Sequence, residues 1–182
     1  MYKQVFQYIG LIFLLIVAHT SFYPKVFAQS TNTATFENLL SVYIYNFTKF
    51  IEWPQSKSDD FKICVWGENN IVNPLNTIAQ KENVNGKRIV VNVIEDIRKI
   101  SDCNILFVGE EDKSQLNKII ENIKGKNILL ITNSAGFAKR GAGINFLRVD
   151  DKIKFEINKA VLEANKIIPS SRLLSLAVHV YE

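Results

Sequence analysis

The chain has 182 residues, with 22 Lys and Arg against 18 Asp and Glu, a net charge of +4 and 47% hydrophobic residues. That near balance, with no cluster of Lys or Arg, leaves no electrostatic footprint for nucleic acid and none for an anionic membrane surface.

Met1 to Ala28 has a basic start at Lys3 and an apolar run, IGLIFLLIVA, from Ile9 to Ala18. Small residues follow before Gln29, as a signal peptidase requires. The run is short of the roughly 20 apolar residues of a membrane span. Residues 1–28 therefore read as a cleaved secretory signal, with no direct membrane insertion afterwards, and residues 29–182 as one domain with a full core. The leader takes Lys3 and Lys25 with it, so the exported chain carries 20 bases and 18 acids.

QSTNTAT, residues 29–35, is polar, and Thr33 or Thr35 is expected to cap the first helix. That helix is FENLLSVYIYNFTKFIEWP, from Phe36 to Pro54. Phe36, Leu39, Leu40, Tyr43, Ile44, Phe47, Phe50 and Ile51 share one arc at 100° per residue, with Glu37, Ser41, Thr48 and Glu52 opposite. Pro54 ends it and pushes Trp53 out of helical geometry. Val42, Tyr45 and Trp53, with Lys49 between them, interrupt the polar side. Either a neighbouring segment covers them, or they form a contact strip for another protein, since aromatic anchors beside a cation favour interface centres.

After the loop QSKSDD, Phe61 to Gly67 reads as a buried strand. A helix over Ile71–Glu82 is expected to be interrupted early by Pro74, and Asn85 with Gly86 marks a turn. Arg88 to Ile94 is a strand dense in β-branched residues. Asn104 to Gly109 is another strand, Lys113 to Lys124 a helix, and Asn127 to Thr132 a continuous apolar strand of the kind covered on both faces. GFAKRGAG, residues 136–143, reads as a glycine-punctuated loop. INFLRV and KIKFEIN then form a hairpin about Asp150 and Asp151, with Asn158 capping a helix KAVLEANK. Ser170 and Ser171 open a last helix, RLLSLAVHVY, apolar on most sides and expected to be buried. The pattern is that of an α/β, single-domain three-layer sandwich: a mostly parallel sheet, helices on both faces, and an antiparallel β-hairpin at the edge.

Chemistry is sparse. The glycine loop lacks the Lys followed by Ser or Thr of a phosphate cradle. Once the leader is removed, His179 is the only imidazole. That leaves no His and Cys set for zinc, and no GxSxG elbow accompanies Ser170, Ser171 or Ser175. The acidic run Glu110, Glu111 and Asp112 lies at a strand's carboxyl end, the usual ligand edge of such a sheet, but solvated turns also account for it. No catalytic residue, metal or cofactor is expected. In an oxidising compartment Cys64 and Cys103 would pair, although an unshifted parallel register would hold them too far apart, and two free buried thiols are the other reading.

Several separated pieces, in this order, resemble the YfiR family of small exported regulators over about residues 36–181. They are YNFTKFIEWP (Tyr45–Pro54), KICVWG, NGKRIVV, CNILFVG, ILLIT, FAKRGAGINF (Phe137–Phe146), FEIN and SSRLLSLA. The resemblance implies a periplasmic, often homodimeric protein. It would bind the periplasmic region of an inner-membrane diguanylate cyclase, or of a sensor kinase, and repress cyclic-di-GMP output and biofilm formation. It also implies that Cys64 and Cys103 match one family cysteine pair; the second pair of some relatives has no counterpart in residues 136–146. The contact surface expected on this basis joins Tyr45, Lys49 and Trp53 to Ile144, Glu156 and Leu162. The alternative is a small-ligand module using the crevice near Gly67, Gly109 and Glu110.

Overall fold

The computed structural model describes residues 30–55 and 58–182, with side chains from Phe36 onward. The expected secretory signal lies outside the described residues. Residues 32–182 form one compact unit.

The first helix, α1, spans Ser30–Lys49. It begins upstream of Thr33 and Thr35, so neither is its cap. It also ends before Pro54: the chain turns at Phe50 and enters β1 (Ile51–Glu52), which pairs antiparallel with β9 (Ile168–Pro169). The Ser170 amide donates to the Phe50 carbonyl at 2.9 Å. This non-local pairing overrides the helical pattern of the sequence.

Among the described residues the main sheet has eight strands. In chain order they are β2 (Asp60–Trp66), β3 (Asn83–Val84), β4 (Lys87–Ile94), β5 (Ile105–Val108), β6 (Leu129–Thr132), β7 (Ile144–Val149), β8 (Lys152–Asn158) and β10 (His179–Tyr181). Across the sheet the order is β10, β8, β7, β6, β5, β2, β4, β3. The five strands β4, β2, β5, β6 and β7 are mutually parallel, while β8 returns antiparallel to β7. Two tight turns close the hairpins. Asn85 and Gly86 have φ of 51° and 80°, and Asp150 and Asp151 have φ of 47° and 58°, the left-handed pair that a two-residue hairpin needs.

The last expected helix is divided. Helix α6 covers Ser171–Leu176, and the chain then extends into β10, pairing His179–Tyr181 with Glu156–Asn158. The hairpin is therefore not the outermost pair, and His179 is exposed rather than buried. The other helices are α2 (Val72–Ala79), α3 (Leu116–Ile123), α4 (Phe137–Arg140) and α5 (Lys159–Ala164). Pro74 sits in the first turn of α2, where no intrahelical bond needs its missing N–H, so it does not interrupt the helix. Helix α4 replaces part of the expected glycine loop, anchored by buried Phe137 and Ala138. The chain before α3 is a 3-10 turn, Glu110–Gln115.

Alternation along the strands divides the core in two. Ile63, Val65, Phe107, Ile131, Phe146 and Phe155 pack under α1, α2, α5 and α6. Cys64, Leu106, Val108 and Leu130 face the other way, under α3, α4 and the 3-10 turn Ile97–Asp102. These are the two helical layers of the sandwich. Phe47 of α1 anchors the first, its ring stacked 5.6 Å from Phe146 and edge-on 5.0 Å from Phe155.

Cys64 and Cys103 are joined in a disulfide, with Cα atoms 5.8 Å apart. The register does not prevent it because Cys103 stands outside the ladder. Only from Asn104, whose amide donates to the Lys62 carbonyl, does the chain run beside β2. Before that, the 3-10 turn brings Cys103 into the same core as Cys64.

Candidate partner-binding surface

The end of α1 holds Tyr45 and Lys49 one turn apart. Tyr45 is buried, and its phenol donates to Glu82 Oε2 at 2.6 Å, while Lys49 Nζ lies 4.2 Å from the ring centroid. Burial, and then the Glu82 carboxylate, push the Tyr45 pKa up to about 12. Ser41 and Thr48 are also buried, against expectation. Their hydroxyls donate back to the carbonyls of Asn38 and Tyr45, which lets a polar side chain lie in apolar contact. Leu39, expected in the core, is exposed, as is Val42.

Trp53 packs edge-on against Phe61 at 4.8 Å, and its indole N–H donates to the Thr48 carbonyl. It lines a cavity of about 250 Å³ with Phe61, Val84 and Asn104. A polar cavity of about 290 Å³ adjoins, lined by Lys62, Asp102, Lys126 and Asn127 among others. Both open at the amino ends of β2, β5 and β6.

The expected surface is not continuous. Ile144 of β7 and Leu162 of α5 lie in the core shared with α1, at 0% and 1% exposure, and so are not at the surface of the chain as it stands. Glu156 alternates with Phe155 and Ile157 and so projects from the opposite face of the sheet to Tyr45. It accepts from Tyr181 O–H at 3.1 Å and from Asn145 Nδ2 at 3.3 Å, while Thr132 O–H donates to Asn145 Oδ1 at 2.6 Å. These four side chains form a polar ladder across β6, β7, β8 and β10. The Tyr181 pKa is raised by burial and by Glu156. The signal for the ladder was a polar residue at the same face position of otherwise apolar strands, but pairing Tyr181 with it required knowing that the C-terminus is a strand.

The other candidates are held in local contacts. Ser170 accepts from the Leu173 amide as a helix cap, Ser175 donates to the Arg172 carbonyl, and His179 lies against the Tyr181 ring at 4.2 Å. At the carboxyl ends of β2 and β5 the side chains of Asp112, Glu111 and Asn69 stand close to Gly67 and Gly109. A Cβ on Gly67 would lie 2.7 Å from Asp112 Oδ2, and one on Gly109 would meet Glu111 and Asn69. Among the described residues, no helix is long and apolar enough to cross a membrane.

The sequence model of the family described as YfiR/HmsC-like matches residues 37–178. No curated protein matches the chain. Among solved structures, the ABC domain in complex with L-Trp from Streptococcus pneumonia is similar at TM-score 0.54 and 10% identity, over 79% of this chain and 60% of that one. The chain thus spans less than two thirds of that structure, and the likeness is one of fold alone.

Proposed function

The chain belongs to the YfiR/HmsC-like family, and on that premise we propose that it is a periplasmic regulatory binding protein, exported by residues 1–28, that represses an inner-membrane diguanylate cyclase. It binds the sensor region of that enzyme outside the inner membrane, lowers cyclic-di-GMP output and biofilm formation, and performs no bond chemistry of its own. The observation that carries this reading is the family match across almost the whole sandwich, from α1 to the chain between α6 and β10.

A binding domain represses by affinity difference alone. It must bind the inactive conformation of the sensor more tightly than the active one. Driving the sensor from mostly active to almost wholly inactive takes on the order of 10⁴-fold preference. A sandwich with helices on both faces and a disulfide tying β2 to the entry of β5 supplies the rigidity such a discriminator needs. Trp53 stays within the proposed contact region as part of the lining of its cavity, with Tyr45 and Lys49 on the neighbouring end of α1, and Glu156 belongs to a separate face.

The reading is tested by crosslinking the exported chain in intact cells and identifying the captured membrane protein. A diguanylate cyclase is the expected partner, and a sensor kinase would redirect the proposal to phosphorelay control. Capture of no membrane signalling protein would overturn it. A second reading, small-ligand binding, is favoured by the apolar Trp53 cavity. It predicts that some compound in a broad panel raises the melting temperature of wild type and not of Trp53→Ala.

A further inference from the structure

The outer edge of β4 is open. Strand β3 pairs only with Lys87 and Arg88, and among the described residues no strand lies beside Ile89–Ile94 on that side. The Ile94 carbonyl accepts from the Gly67 amide, so Ile94, Asn92 and Val90 turn their backbone groups towards β2. By alternation Val91 and Val93 turn their N–H and C=O groups outward. The edge has none of the usual defences: Ile89–Ile94 contains no proline and no charge, and Val93 is 48% exposed. The opposite edge of the sheet, β10, has only three residues. Beside the open edge runs a groove of about 930 Å³ between β4 and the end of α2, lined by Asn76, Gln80, Lys81, Ile89 and Val91 among others.

We infer that this edge is where the membrane partner docks, by adding an extended segment of its periplasmic region as a further strand beside β4; this rests on the partner reading above. The outward amides and carbonyls call for a backbone strand. Four residues opposite Val90–Val93 cover about 13 Å, since Glu82 already stands beside Ile89. The segment is apolar where it meets Val91 and Val93, and acidic at the end nearest Lys81. Arg88 is already paired with Asp60 at 3.0 Å and Glu82 already accepts from Tyr45, whereas Lys81 has no ion pair among the described residues. One register of a second copy is closed. Two β4 edges paired about Val91 would place residues 93–95 of one copy where residues 82–84 of the other already lie.

The test repeats the in-cell crosslinking with the full exported chain carrying Lys81→Glu, Val93→Lys or Val91→Pro, and adds hydrogen exchange on the purified complex. Expected are an at least tenfold loss of captured signalling protein for each variant at unchanged melting temperature, and at least tenfold slower exchange of the Val91 and Val93 amides in the wild-type complex. Should Val91→Pro misfold, the two side-chain variants and the amide exchange decide. Wild-type capture with unaffected variants and fast-exchanging Val91 and Val93 would overturn the edge and leave the partner reading standing. Failure of the wild type to capture any signalling protein would remove that reading, and this docking mode with it.

Discussion

Opening the Cys64–Cys103 disulfide should destabilise the chain by about 4 kcal/mol. The bond closes a loop with a sequence separation of 39, and the loop-closure expression for that length gives about 13 cal/mol/K, or about 4 kcal/mol at 25 °C. Little of this comes from lost native contacts. Strands β2 and β5 remain paired through Ile63, Cys64 and Val65, and both cysteines stay in an apolar core at 2% and 5% exposure. The effect lies mainly in the unfolded chain, which regains the freedom of the loop. At about 2 to 4 °C per kcal/mol for a chain of this size, the melting temperature should fall by about 8 to 16 °C. The assay is thermal unfolding of the exported form with and without a phosphine reductant, beside the Cys64→Ala, Cys103→Ala double variant. The double variant should match the reduced wild type and ignore the reductant. A wild-type shift below about 2 °C, or an equal shift in the double variant, would refute the argument.

Phe47→Ala removes the ring between Phe146 and Phe155 and should cost about 3 to 5 kcal/mol, measured by urea unfolding. Asn158→Ala loses the bond from the Val161 amide, and also the buried bond from Asn158 Nδ2 to the Ala138 carbonyl, and should cost about 1 to 3 kcal/mol in the same assay. The Tyr45 phenol favours its protonated form in the folded chain. Its contribution to stability should be complete below pH 10 and lost as pH rises through about 12, followed by ultraviolet difference titration and unfolding of wild type against Tyr45→Phe.

The sheet was largely readable because its central strands are short, fully apolar runs, and because Asn85–Gly86 and Asp150–Asp151 are residues that tolerate the left-handed turns they occupy. Asn158 and Ser170 likewise mark helix starts through their own side-chain bonds. The errors share a different cause. RLLSLAVHVY is apolar enough to satisfy either a helix or a strand pattern, and only the distant β8 decides that its end extends. The early end of α1 depends on β9, more than 100 residues away, and the burial of Tyr45 on Glu82, 37 residues away. The burial of the residues expected at the contact surface was the least readable part. Residues that characterise a motif divide between core and surface according to strand alternation, and Ile144 and Leu162 fell inside.

Cyclic-di-GMP measured in cells lacking this chain, then complemented with the full sequence or with a form lacking residues 1–28, tests the regulatory claim most directly. The account predicts a rise on deletion, reversed by the exported form and not by the leaderless one. An unchanged level on deletion, or full rescue by a form confined to the cytosol, would contradict it.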